Sequence, residues 1–157
     1  MNAEIQTIIR NLREVLQGEP WHGKSVMELL SEVDPAMAYI RPEETQHSLI
    51  DLLYHMITWS EFTANRMEKD PPPAEETEAL DWREIDPVQH TWQGGVEQLK
   101  AANEKIIAML QQKDDSLLSQ KVADRNYNFG QLLHGQVQHL IYHSGQIAYV
   151  RKLLQGS

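Results

Sequence analysis

Apolar residues recur at helical spacing in four stretches of the chain. The first holds Ile5, Ile8, Ile9, Leu12, Val15 and Leu16, one stripe on one helix face, and ends at Gly18 and Pro20. The second runs from about Ser48 to Lys69 with Leu49, Leu52, Leu53, Met56, Trp59, Phe62 and Met67. The third runs from about Pro87 to Gln112 with Val96, Leu99, Ile106, Met109 and Leu110. Asp86-Pro87 there suits an N-cap followed by proline at the first helical position, while Gly94 and Gly95 weaken the opening turns. The fourth runs from about Gln131 to Leu154 with Leu132, Leu133, Val137, Leu140, Ile147, Val150, Leu153 and Leu154. A shorter helix is expected from Ser25, where Glu28 would complete a capping box before Leu29 and Leu30. No Val/Ile/Thr alternation bounded by hairpin turns points to a strand.

The pattern predicts an all-α fold, with four main helices in one bundle and residues 1–157 as a single domain. Two connections are long, residues 18–46 and residues 70–86, the second containing Pro71-Pro72-Pro73. A helix of 20 residues is about 30 Å long, and an extended link of that second size reaches roughly 50 Å. It either crosses the full length of the bundle or stands out as an excursion. The crossover is the preferred expectation.

Composition changes this picture mainly by exclusion. The chain has 14 Lys+Arg against 23 Asp+Glu, a formal net charge of −9, with seven histidines and no cysteine. Disulfides, thiolate nucleophiles, Cys-ligated zinc and protein-held iron–sulfur clusters are ruled out. Without a basic stripe, neither nucleic acid nor an anionic membrane is an expected partner. No run approaches the roughly 18 apolar residues of a membrane span. Residues 1–17 are amphipathic and unlike a signal-peptide core, so the cytoplasm is the expected location.

Candidate chemistry therefore rests on nitrogen and oxygen ligands. His139 and His143 stand at i, i+4, which on a helix places both rings on one face. Leu140 and Ile147 flank them, so that face looks into the bundle. Two imidazoles so placed can chelate one divalent ion. A third ligand must come from another helix, and His55, beside Leu52 and Trp59, is the candidate. Asp51 lies one turn before it, and Gln136 and Gln146 lie on or near the ligand face, where they would bond a bound water or simply pack. Three imidazoles with open positions suit a catalytic zinc or nickel site rather than a closed structural one. The residue after His139 is Leu140 rather than Glu, so the pattern is not that of a zinc peptidase. His47 is two turns before His55, roughly 12 Å along the axis, too far to share an ion. His134 is five residues before His139 and points about 140° away. His22 and His90 fall in loops and are expected in solvent, unless one covers the site mouth.

The run His47-Ser48-Leu49-Ile50-Asp51-Leu52-Leu53-Tyr54-His55 with Trp59, and the run Leu133 to Ile147, together resemble the DinB-like superfamily, the damage-inducible-type four-helix bundle proteins that include bacillithiol transferases. Trp92 and Asn128-Phe129-Gly130 fit the same pattern, and the likeness covers nearly the whole chain. The resemblance implies an up-down-down-up bundle, frequent dimers, and a divalent metal (zinc or nickel first, manganese or iron also) held by His55, His139 and His143 at an open end of the bundle. It departs at Leu140, where many relatives carry Asp. Three functions follow as expectations. The first is a metal-dependent enzyme, a transferase moving a low-molecular-weight thiol to a small electrophile or else a hydrolase, with no acid or base identified. The second is a non-catalytic metal-binding or stress-associated interaction module. The third is a plain bundle with structural histidines.

Overall fold

The computed structural model describes residues 2–156. Among them are six α-helices, α1 (Ala3–Gln17), α2 (Val26–Ser31), α3 (Leu49–Arg66), α4 (Ala74–Glu78), α5 (Trp92–Leu110) and α6 (Phe129–Leu154), with short 3-10 turns at Pro35–Met37 and Asp115–Ser119. The described residues contain no strand, only an isolated bridge between Lys121 and Asn128. No described helix is long and apolar enough to cross a membrane.

The four long helices are those the apolar spacing predicts. In α1 the buried residues are the same Ile5, Ile8, Ile9, Leu12, Val15 and Leu16. These six join Leu49, Leu53, Met56 and Ile57 of α3, Leu99 and Ile106 of α5, and Leu133, Leu140 and Ile147 of α6 among the buried side chains of the core. Each fully buried aliphatic side chain contributes roughly 1.5–3 kcal/mol against conformational entropy.

The helix starts differ from expectation in informative ways. Ser25 Oγ does accept from Glu28 N at the start of α2, the half of the capping box that the structure shows. Helix α5 begins at Trp92, not Pro87. The Asp86 carboxylate caps only a single turn, accepting from Val88 N, and His90 closes that turn by accepting from Asp86 N through Nδ1 (2.9 Å). Thr91 is the true cap, its hydroxyl accepting from Gly94 N. Helix α6 begins two residues earlier than the apolar pattern indicates, because Asn128 and Gln131 form a reciprocal capping box.

Contacts between helices fix their senses. Along α3 and α5, Leu53 lies against Gly95 and Ser60 meets Asn103 (3.0 Å), and just past the end of α3 Glu68 meets Lys105 (2.6 Å), so the two run the same way. Along α3 and α6 the order reverses, with His55 beside His139 and His143 and Ser60 beside Gln136. Residues 67–90 return along α3. Arg66 holds the Pro72 carbonyl, Asn65 reaches Thr77, Thr58 reaches the Leu80 carbonyl, His55 meets Asp81, and Tyr54 donates to the Thr91 carbonyl. Helix α4 sits within this return, so the prolines open a docked segment rather than a free excursion.

The close pairing of α3 with α5 explains Gly95. A Cβ there would meet Leu53 Cδ2 at 2.7 Å and Tyr54 Cε2 at 2.9 Å. Gly95→Ala should therefore lower the melting temperature in thermal unfolding, because overpacking of about 1–3 kcal/mol exceeds the up to ~1 kcal/mol that helix propensity returns. An unchanged or higher melting temperature would show that α5 moves away at no cost.

Candidate metal centre

His55 sits in the second turn of α3, and the i, i+4 pair His139 and His143 lies near the middle of α6. Because α3 and α6 run oppositely, His55 falls between the two. Its Nε2 is 3.0 Å from His143 Nε2 and 3.1 Å from His139 Nε2. One ligand atom from each of the three lies within 4.8 Å of the others, a grouping able to hold a metal ion. His55 and His143 are buried and His139 is partly so.

The outer nitrogens show why the inner ones converge. Asp81 Oδ1 lies 2.5 Å from His55 Nδ1, and a carboxylate only accepts, so that nitrogen carries the proton. Gln146 Oε1 accepts from His143 Nδ1 at 2.6 Å. Such partners fix tautomer and ring orientation and leave the Nε2 lone pair free for a metal. The free lone pairs of His55 and His143 then face each other at 3.0 Å, an arrangement that a cation between them relieves. Tetrahedral coordination at 2.0–2.1 Å per bond spaces nitrogens about 3.4 Å apart, so the two spacings from His55 need to open by only a few tenths of an ångström. His139 Nδ1 is buried with no hydrogen-bond partner among the described residues, so this ring, unlike the other two, has no partner behind its outer nitrogen. The donor set fits a divalent ion and supplies three of the four donors of a tetrahedral site.

Burial sets the charge state of the α6 pair. It drives His139 down from the ordinary imidazole value to about 3, with the neighbouring His143 and His55 adding to the shift and Asp81 opposing it. Burial also lowers His143, against a raising effect from Gln146. These rings hold their lone pairs ready at neutral pH.

The structure places the other expected residues as follows. Asp51, expected near His55, does not reach the ring. It closes the capping box with Ser48 and pairs with Arg41 at 3.5 Å, because the first-turn N–H groups of α3 need that carboxylate. Gln136 does not touch a ligand either. It is buried, donating to Ser60 Oγ and Asn103 Oδ1 and accepting from Thr63, since a buried amide must satisfy both its ends. Gln146 does touch a ligand, through His143. His134 lies away from the site and pairs with Glu4 at 3.4 Å. His22 is exposed. His90 is not a solvated loop residue but the closing acceptor of the Asp86 turn. His47 is outside the trio yet near it, stacked on Trp82 at 3.8 Å. Leu140 is fully buried in the core.

Two site residues had no signal in the sequence, Asp81 and Trp82. Asp81 lies 26 positions after His55 in a segment without apolar periodicity. It bonds His55 with one oxygen and accepts from Trp59 Nε1 (2.9 Å) with the other. Trp82 is sandwiched between His47 and His55, 4.0 Å from the latter and nearly parallel to both rings. Its backbone sits at φ +48°, a left-handed conformation that an aromatic residue adopts only when its surroundings hold it there.

Comparison with known families matches residues 21–147 to the DinB superfamily, and the chain belongs to that superfamily. No curated protein and no solved structure matched the chain.

Removing the Asp81 charge should loosen the site. Asp81→Asn is expected to weaken zinc binding about 10–100-fold, the usual cost of losing a carboxylate behind a ligand histidine, as read by competition with a chromogenic chelator. Unchanged affinity would refute that role. The depressed histidines also set a pH dependence. The unfolded chain binds protons at an ordinary imidazole value of about 6.5 while the native His139 stays neutral down to about 3. The metal-free fold should therefore be most stable above pH 6.5 and lose stability progressively as pH falls through that window. The melting temperature of His139→Gln should fall less steeply with acid than that of the wild type. Equal slopes would contradict this account.

Proposed function

We propose that this DinB-superfamily chain is a divalent-metal-binding protein with an open three-histidine site, acting as a thiol S-transferase on small electrophiles. The observation that carries the reading is the convergence of the His55, His139 and His143 Nε2 atoms, with Asp81 and Gln146 behind two of them. Three imidazoles suit zinc or nickel first, with iron or manganese as weaker fits. A divalent ion held there would favour the thiolate form of an incoming low-molecular-weight thiol. The chain has no cysteine of its own, so the sulfur must come from the substrate.

The helix senses and the returning 67–90 segment support an up-down-down-up bundle with a crossover between α3 and α5. A cytoplasmic homodimer completes the proposal, in keeping with the superfamily resemblance.

A second reading, a metal-binding module without turnover, is favoured by one feature. The carboxylate at the site, Asp81, is already engaged by His55, Trp59 and the Trp82 N–H, and so is not free as a base.

The tag-free protein should hold close to one equivalent of zinc or nickel after reconstitution, and His55→Ala should hold almost none, both by elemental analysis. With metal, bacillithiol and monochlorobimane, a carbon–sulfur bond forms, the carbon–chlorine bond breaks, chloride leaves and the thiol proton passes to water. A rate above background that His55→Ala abolishes supports the transferase. Full metal content with no rate for any metal or thiol leaves the binding module, and no metal at all removes both readings.

A further inference from the structure

Two side-chain stripes face each other beyond the histidines. On α3, His55, Trp59 and Thr63 follow at steps of four. On α6, Gln131, Gly135, His139 and His143 do the same in the opposite sense. Between the stripes lies a groove of about 280 Å³, whose walls include Trp59, Thr63, Tyr127, Leu132, Gly135 and His139. His139 is thus at once a wall of the groove and a member of the trio, so the groove adjoins the candidate metal centre through that ring.

Its opening depends on Gly135. A glycine inside a helix is destabilising, and it is usually explained by a close neighbour or a left-handed turn. Neither applies here. A Cβ at Gly135 would meet nothing within 4 Å, and the backbone conformation is ordinary. A longer side chain at this position, one turn before His139 on the same helix stripe, would project into the groove. The glycine therefore leaves space beside the site that α6 itself does not need.

The walls define the occupant. No carboxylate, ammonium or guanidinium lines the groove, although the chain carries a net charge of −9. Trp59 is fixed by its bond to Asp81, which presents a rigid aromatic wall. The volume is just under the roughly 300–1,000 Å³ of pockets for drug-sized ligands. These features suit one ring or a short chain and offer nothing to pair with a charge.

We propose that the groove between Trp59 and Gly135 is a binding subsite for the uncharged, ring-sized or short apolar portion of the small electrophile that reacts at the three-histidine site. The proposal rests on the functional reading above for the identity of the reacting molecule, but the groove itself can be tested without metal.

The probe is para-fluorobenzyl alcohol, with para-fluorobenzoate and para-fluorobenzylamine as its charged counterparts, followed by fluorine NMR on metal-free and zinc-loaded full-length protein. The neutral probe should bind the metal-free wild type better than either charged probe. The series Gly135→Ala, Gly135→Val and Gly135→Leu should weaken binding in order of side-chain size, by at least about tenfold at Leu as the ring loses its buried contacts. Zinc content and melting temperature should not fall across the series. Any member that folds reports on the groove, and the small Ala and Val variants keep the test valid if Leu does not fold. Binding of the neutral probe to metal-free protein supports the subsite even if the protein takes up no zinc, so failure of the metal reading is seen separately. The proposal is overturned if the neutral probe does not bind, if a charged probe binds better, or if folded Gly135→Val or Gly135→Leu binds as the wild type does. A change in sedimentation coefficient across the series would also overturn it, since a second copy of the chain would then be what covers Gly135.

Discussion

A buried knot of amide and hydroxyl groups sets the register in which α3 faces α6. Gln136 on α6 spends both donors on Ser60 and Asn103 and accepts from Thr63, while Asn103 on α5 also donates to Ser60. Each of these groups is buried, and leaving any of them unpaired costs about 1–3 kcal/mol. A slip of one helical turn, about 5.4 Å, would break all of these contacts together. The same slip would carry His55 out of reach of His139 and His143. Apolar side chains tolerate sliding along a helix face, whereas hydrogen bonds do not. The polar knot thus protects the geometry of the site one to two turns away.

The second support is the segment that returns along α3. Arg66 holds its start through the Pro72 carbonyl, and Tyr54 and Tyr39 hold its end through the carbonyls of Thr91 and His90. Between these anchors the chain delivers Asp81 to His55 and Trp59 and wedges Trp82 between two imidazoles. A left-handed tryptophan is costly in isolation, and here stacking on both faces and a bond to Asp81 offset the cost. The His55 ring is therefore fixed by a carboxylate behind it and an indole beside it. His139, with no partner on Nδ1, is held only by its neighbours, which makes it the ring with most freedom to adjust to a ligand.

Much of this was legible in the residues. The apolar stripe of α1 matches its buried face residue for residue, and the i, i+4 histidine pair with an inward His55 forms the cluster that the spacing indicated. Helix starts were less so. Asp86-Pro87 and Thr91 are both good caps by composition, and the choice fell to Thr91 because the tyrosine anchors hold the carbonyls of His90 and Thr91 at the end of the returning segment. Asp51 was the nearest carboxylate to His55 along the chain, but proximity in sequence put it at the helix N-terminus, where backbone N–H groups compete for it. Gln136 and Gln146 looked alike from their helix positions. One serves the core and the other the His143 ring, because Gln136 is buried within the inward face while Gln146 is half-buried at its edge, within reach of His143.

The sequence by itself determined the four long helices, the inward face of each, and the three histidines that cluster, because those depend on periodicities of a few residues. Only the tertiary structure decided which carboxylate stands behind His55, that Trp82 covers it, and that Gly135 opens a groove beside it. Those depend on where a long, aperiodic segment docks and on empty space between two helices. Such contacts leave no repeating trace along the chain, since each is made by residues whose neighbours in sequence do something else.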